Sequence, residues 1–453
     1  MTDLCIINSP LFRDSNALYD EDSLPPIGLG YIASVASNSG LSVVLVDAVA
    51  NRIPLKRLVD DVRALSPKAV AINIFTTNYV LVKEFVESLR SSCAHVILGG
   101  LSTRTLYKEI FKWKYAGKID IVFGDGELIV PDLLRGIEKQ FPFETQGNMR
   151  FFRVDNSSPY FCNDISNLPL DRSYFSNEPI HHPRGFMEAN IVASRGCIYN
   201  CSFCAAARSL NKDLAIRERT ISSLVNELNE IVTEFPHVSS IRVLDDLFLK
   251  GASCIANAIA LFSQFSLKWR SMAHVMTFQG VSLDTLIQLR DCGCSELFVG
   301  IESGSPRVLK SIHKTHDIEK IRSNLIRVME AGIPLKGYFI YGFPNETAED
   351  FDKTYRLACD LKEASIRYGV SFRTSVFQFR PYHGTELFHS LVKNGVSTEG
   401  VMQVNGNADL SSLVGRLQFN FHSGNYANAP IEIVHDFVYK TANLSSATDW
   451  GLS

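Results

Sequence analysis

Apolar residues fall into two rhythms along the first 140 positions. Short β-rich runs at Leu4–Ile7, Val43–Val46, Ala69–Ile74, His95–Leu98 and Ile119–Phe123 alternate with stretches whose apolar positions recur at helical spacing. That alternation predicts a doubly wound, Rossmann-like α/β domain over 1–140. From 141 to 184 the periodicity fades and Pro, Asn, Ser and Asp accumulate, the composition of a linker or an extended wrap. A second β/α series follows, with candidate strands at Ala189–Ala193, Ser240–Leu244, Arg270–Val275, Glu296–Ile301, Lys336–Tyr341 and Ser371–Phe379, each separated by enough chain for a crossover helix. Six parallel strands predict a partial (β/α)6 TIM-like barrel over 185–390, with its chemistry at the C-terminal strand ends. Beyond 390 the signals weaken, and 391–453 is expected to form a small C-terminal region across the barrel mouth or its side.

Composition narrows the class. With 453 residues, 46% hydrophobic and 21% charged, the chain is ordinary globular material too long for one core. A net charge of −3 lacks the basic excess of a nucleic-acid binder, so no nucleic-acid partner is expected. The opening run Leu4–Ile7 lacks the architecture of a signal peptide, and Ile255–Phe265 is too short, and broken by Asn257, to span a membrane. A cytoplasmic protein without a membrane partner is the expectation. Its ten cysteines are scattered except for one tight group, which in a reducing compartment points to metal chemistry.

That group follows the first barrel strand: Arg195-Gly196-Cys197-Ile198-Tyr199-Asn200-Cys201-Ser202-Phe203-Cys204, a C-x3-C-x2-C run. Three thiolates can hold three irons of a [4Fe–4S] cubane whose usual complement is four, leaving one iron open for chemistry. The alternative, a zinc site, favours paired Cys-x2-Cys knuckles, and no second knuckle is present. The run resembles the signature of the radical S-adenosylmethionine (SAM) enzymes, with the aromatic Phe203 before the third cysteine. The resemblance implies that SAM chelates the open iron. It also implies that an electron from a donor such as flavodoxin or ferredoxin cleaves SAM to a 5′-deoxyadenosyl radical. Further segments carry the same resemblance. Val299-Gly300-Ile301-Glu302-Ser303-Gly304-Ser305 is similar to the family's fourth-strand GIESGS, which places Gly300, Glu302 and Ser303 near SAM, Glu302 foremost. Asp245-Asp246 ends the second strand, where members often receive the SAM amino group. Gly342 to Thr347 resembles the GxPxET turn, and Arg380-Pro381-Tyr382-His383-Gly384-Thr385 the PYPGT segment, with His383 in place of Pro. Taken alone, a carboxylate after a strand is also a solvated turn, and an Asp pair a helix cap.

Glycines gather at the strand ends of the front domain, where open α/β sheets bind ligands. Pro26, Gly28 and Gly30 enter the first helix; Asp47 follows the second strand; Gly99-Gly100 and Gly124-Asp125-Gly126-Glu127 follow the fourth and fifth. The pattern resembles the cobalamin (B12)-binding domain found ahead of many radical SAM barrels. On that resemblance Pro26, Gly28, Gly30, Gly99, Gly100, Gly124 and Glu127 contact cobalamin, and Thr76, Thr77 and Asn78 face the corrin. Otherwise those three only cap a helix, on a scaffold that no longer binds the cofactor. No histidine precedes His95, so cobalt has no ligand from the first loop. Of the isolated residues, the adjacent His181 and His182 are expected on the surface, Cys292 and Cys294 in packing, and His274 at a strand end where substrate could meet it.

Together these features imply a cobalamin-dependent C-methyltransferase of specialised biosynthesis, acting on a small-molecule or peptide substrate. Radical rearrangement, cyclisation or SAM-fragment transfer is the alternative, and a non-catalytic cobalamin or iron–sulfur sensor a further one. A methylthiotransferase would need another cysteine triad in the front domain, where only Cys5 and Cys93 occur.

Overall fold

The computed structural model describes residues 2–10, 24–89, 95–182, 184–398, 424–445 and 449. The chain divides into two compact units, one of residues 1–178, 210–215 and 381–422, the other of 179–209, 216–380 and 423–453. Cys93 and residues 399–423 lie outside the described residues. No described helix is long and apolar enough to cross a membrane.

In the first unit, β1 (Leu4–Asn8), β2 (Val43–Asp47), β3 (Ala69–Asn73), β4 (His95–Gly99) and β5 (Lys118–Gly124) form a parallel sheet in the order 2-1-3-4-5. The helices α1 (Ile27–Asn38), α2 (Leu55–Leu65), α3 (Tyr79–Leu89), α4 (Thr103–Ile110) and α5 (Ile129–Arg135) connect them. Because both faces are covered, a strand such as β1 is apolar from Leu4 to Ile7 and turns polar only at its end, Asn8. Cys5 and Ile7 feed one core, Leu4 and Ile6 the other.

The stretch 141–184 is not the linker its composition predicts. Phe143–Gln146 (β6) and Met149–Val154 (β7) form a hairpin, and β7 extends the sheet parallel to β5. Gly147, at a φ of +59°, makes the turn. Met149 and Phe151 then join one core while Phe152 and Val154 join the other.

The second unit is a curled half-barrel. Its parallel strands are β9 (Phe186–Ile191), β12 (Ser240–Val243), β13 (Lys268–Ala273), β14 (Cys294–Glu302), β15 (Leu335–Tyr341) and β16 (Phe372–Gln378). They lie in chain order, with β8 (Ile180–His182) antiparallel on the β9 edge. A two-stranded pair, β10 (Ser194–Arg195) and β11 (Arg217–Glu218), stands apart. Pairing in β8 corrects the surface expectation for His182, which is buried and stacks on Phe186 at 4.3 Å. Buried ion pairs tie the strands together: Arg270 is bidentate to Glu188 (2.6 and 2.5 Å), Arg373 to Glu296 (2.7 and 2.6 Å), and Arg184 adds a third arm to Glu296 at 2.9 Å. Burial would push the Glu296 carboxyl upward, but its arginines hold it far below the usual carboxylate range.

Outside the strands run α6 (Ile221–Glu234), α7 (Ala252–Phe262), α8 (Leu283–Asp291), α9 (Pro306–Ser311), α10 (Ile318–Glu330) and α11 (Ala348–Arg367). α12 (Glu386–Lys393) belongs to the first unit, and α13 (Ile431–Ala442) to the second. α13 packs on the side of the half-barrel, where Thr441 bonds the Tyr341 hydroxyl at 2.6 Å and its carbonyl accepts from Thr374 at 2.7 Å.

Candidate functional site

β9 ends at Ile191, and the chain turns through Gly196, at a φ of +94°, into the loop that carries Cys197, Cys201 and Cys204. The loop is fastened from several sides. The carboxylate of Asp245, at the end of β12, accepts from the Ala193 amide (2.8 Å) and the Ser194 hydroxyl (2.6 Å). The Ser202 amide donates to the Ile312 carbonyl at 3.2 Å, and His313 bonds the Asn200 carbonyl at 3.3 Å. Tyr199 stacks on His274 at 3.8 Å, and Phe203 meets Phe343 edge-on at 5.5 Å.

All three thiols are half-buried. Burial raises their pKa, that of Cys204 to about 12, while the amides of Tyr199 and Ala206 hydrogen-bond the sulfurs of Cys197 and Cys204 and favour the thiolate. A metal would supply the remaining positive charge. Among the described residues, no three His, Cys, Asp or Glu side chains converge as ligands of a single ion do. A cubane makes a different demand, one thiolate on each of three irons. One loop presenting three half-exposed sulfurs, two of them already receiving amide hydrogens, fits it.

Beside the loop, β14 ends in a bulge between Gly300 and Glu302, and Glu302 has a φ of +66°. Lys314, whose side chain is 6% exposed, donates to the Gly300 carbonyl (2.7 Å) and to Glu302 Oε1 (2.9 Å). Burial works against its charge, but Glu302 and the sulfurs of Cys201 and Cys204 favour it. A Cβ on Gly300 would press on the Glu302 carboxylate and the Lys314 ammonium, so glycine leaves the pair room. Sequence reasoning misses Lys314, since it lies twelve residues beyond Glu302 and no local pattern shows the pairing.

The other candidates separate. Ser303 is fully buried and turned toward α11, bonding Thr354 at 3.0 Å and accepting from the Ser305 amide at 3.1 Å. Asp245 secures the root of the loop, and Asp246 beside it accepts the Gly196 amide and lies near enough to Cys197 and Cys204 to oppose their ionisation. His274 accepts the Met276 amide at Nδ1, and burial lowers its pKa to about 3, so the ring against Tyr199 is neutral.

In the first unit, the C-terminal strand ends divide by polarity. Phe75 (41% exposed), Leu101 (41%) and Leu128 (39%) follow β3, β4 and β5 and form an uncovered apolar row. Gly28 and Gly99 have open space around them, as a planar ligand would require. Gly30, Gly100 and Gly124 have local packing reasons instead: a Cβ there would strike Phe175, the Ile74 carbonyl and the Val154 carbonyl. Asn78 is buried and holds the turn through the Phe75 amide and the Asn73 carbonyl. Thr76 is buried and receives the His383 amide at 3.2 Å, while Thr77 is half-buried. Pro26 precedes α1 as its cap residue, and Glu127 is buried after β5. An apolar row with glycine-cleared space beside it fits a corrin.

Residues 191–358 match the Radical SAM superfamily and residues 19–134 the B12 binding domain. An uncharacterized methyltransferase of Pyrococcus horikoshii is 24% identical over 382 residues, 82% of this chain and 79% of the relative. The anaerobic magnesium-protoporphyrin IX monomethyl ester cyclase of Cereibacter sphaeroides is 22% identical over 82% of this chain, which spans only 60% of that protein. The radical SAM methyltransferase TsrM from Kitasatospora setae, solved with cobalamin and a [4Fe–4S] cluster, shares the fold with a TM-score of 0.63 at 16% identity, over 99% of this chain and 92% of that one. A half-barrel with a three-cysteine loop after its first parallel strand, preceded by a flavodoxin-like sheet and matched by both domain families, makes this chain a radical SAM protein with an N-terminal B12-binding domain, the pairing that goes with a [4Fe–4S] cluster, SAM and cobalamin.

Proposed function

We propose that the protein cleaves SAM at a [4Fe–4S] cluster on Cys197, Cys201 and Cys204 and, with cobalamin, methylates an unactivated carbon of a small-molecule or peptide substrate. The observation that carries this reading is the three-thiol loop beside the Glu302–Lys314 pair at the C-terminal strand ends of the half-barrel. When bound, the cofactors supply the electron for SAM cleavage and the methyl carrier; the chain binds and orients them. Glu302, its carboxylate fixed by Lys314, is placed to accept hydrogen bonds from polar groups of SAM. Tyr199 and Phe203, braced by His274 and Phe343, keep the cluster loop in one shape. Phe75, Leu101 and Leu128 offer an apolar seat for the corrin. Within this proposal 1–140 and 185–390 remain the cobalamin and SAM divisions, with the β6–β7 hairpin of 141–184 joined to the first and 391–453 as the C-terminal region.

The test is anaerobic reconstitution with iron, sulfide and hydroxocobalamin. About four irons per chain are expected, lost when Cys197, Cys201 and Cys204 are all replaced by Ala. With methyl-labelled SAM and a reductant, label should appear on the protein-bound corrinoid, and 5′-deoxyadenosine should form in a separate turnover. Deoxyadenosine without label on the corrinoid would move the reading to radical rearrangement or cyclisation. An unchanged iron EPR signal in the triple variant would remove the cluster assignment.

A further inference from the structure

At the end of β2 in the first unit, Asp47 is 2% exposed. Its Oδ1 is fully used: it accepts from Asn8 Nδ2 at 2.9 Å and from the amides of Val49 and Ala50 at 3.0 Å each. Its Oδ2 is also buried and has no hydrogen-bond partner among the described residues. Orphaned buried carboxylate oxygens are costly, and proteins retain few of them. Capping the loop after β2 needs one oxygen and would be served equally by Asn, so it does not account for the second. The carboxylate cannot swing to find a donor, because Asn8 is itself held by Asn73 Nδ2 at 2.9 Å, and Asn73 in turn by the Ser9 amide at 2.8 Å. This chain of polar side chains crosses the ends of β2, β1 and β3, the point where the sheet order 2-1-3-4-5 reverses and where such sheets bind ligands. The apolar row Phe75, Leu101, Leu128 occupies the ends of β3, β4 and β5. One half of the edge thus suits a planar apolar body, and the other a neutral hydrogen-bond donor.

From this division we infer that Asp47 is a contact residue for the corrinoid, its Oδ2 accepting a hydrogen bond from a side-chain amide or from a ribose hydroxyl of the nucleotide tail. The inference rests on the cobalamin reading of this unit. A donor there would satisfy the orphaned oxygen without bringing a second charge into a buried site.

The experiment is equilibrium dialysis of the full reconstituted protein, wild type and Asp47→Asn, against hydroxocobalamin and against dicyanocobinamide, which has the amides but no nucleotide tail. Asp47→Asn keeps an oxygen for Val49 and Ala50 and puts an N–H2 donor where an acceptor is wanted. Its folding is read independently from the thermal midpoint and from the iron content of the barrel, and Asp47→Ser replaces it if it does not fold. Weakening of hydroxocobalamin binding by about ten-fold or more is expected, the scale of a hydrogen bond to a charged group. An equal loss for dicyanocobinamide assigns the donor to a corrin amide; wild-type affinity for dicyanocobinamide assigns it to the tail. Unchanged binding of both by a folded variant overturns the inference while leaving the cobalamin reading intact. A wild-type protein that retains no cobalamin overturns the reading and the inference together.

Discussion

Glu302 and Ser303 are neighbours in one recognisable segment, yet the structure gives them opposite surroundings. Glu302 leaves the strand through a left-handed conformation and meets Lys314, while Ser303 spends its hydroxyl on Ser305 and Thr354. Glu302→Ala should weaken SAM binding by about 1–3 kcal/mol, the scale for removing a buried polar partner. Ser303→Ala should leave SAM affinity within about 0.5 kcal/mol of wild type and instead lower stability by about 1 kcal/mol. Calorimetric titration of both variants with SAM separates the two roles, and equal losses of affinity would refute the distinction. The cysteine triad and Glu302, proposed for the cluster and SAM, stand out in the sequence because local spacing carries them. Lys314, the His274 stack on Tyr199 and the fastening role of Asp245 were not, because each depends on which distant segment closes against the loop. The glycine landmarks show the same limit. Gly30 and Gly124 are recognisable as a pattern, but only the positions of Phe175 and Val154 reveal that packing explains them.

Among the elements, the turn after β15 shows what a motif letter can hide. Glu346 is fully buried, and its Oε2 accepts the amides of Gly342 and Phe343 at 2.8 and 2.9 Å, folding the turn that presents Phe343 to Phe203. Its Oε1 has no partner among the described residues, and burial raises its pKa to about 8 despite those two amides. An acid whose folded pKa exceeds its unfolded one binds more protons in the native state, so its contribution to stability falls as pH rises from the ordinary carboxylate range through about 8. Glu346→Gln keeps an oxygen for the two amides and cannot ionise. The variant should therefore show a flatter stability profile across that window and exceed wild type above pH 8 by about 1–3 kcal/mol. Urea melts at a series of pH values measure this, and parallel profiles would show that the carboxyl is ionised throughout. Element positions were otherwise the most readable feature: all eleven strands predicted in the two sheets begin within three residues of the observed starts. The hairpin of β6 and β7 was missed because Glu144, Arg150 and Arg153 interrupt its apolar alternation, and a Gln-Gly-Asn turn in polar surroundings reads as linker.

At the scale of the whole chain, units assembled by contact do not follow the order of the sequence. Residues 210–215 belong to the first unit although they lie within the stretch read as barrel. Leu214 and Ala215 pack on that unit's cores, and Asp213 ties the segment by charge: Arg104 pairs with it while its guanidinium lies 3.9 Å from the Phe123 ring, and Arg153 reaches its other oxygen at 2.9 Å. Arg104 also donates to the Leu210 carbonyl, and the Asn156 amide to that of Asp213 at 3.0 Å. A single carboxylate thus neutralises two arginines, one of them only 11% exposed. No periodicity in 205–220 announces this, because six residues docking on a remote sheet leave no local pattern. Cutting the chain after 178 would leave Arg104 without its partner, so the fragment 1–178 should be less stable than the same unit in the full protein. In the intact chain, Asp213→Ala isolates the effect. It should destabilise the first unit by about 1–3 kcal/mol, the cost of orphaning a largely buried charged group after discounting the 28% exposure of Asp213 itself. Hydrogen exchange should register the loss in β5 and α4, which carry Phe123 and Arg104, while iron content and protection in β12 to β15 stay at wild-type values. If exchange rose in both units alike, or in neither, Asp213 would not be what binds this segment to the first sheet.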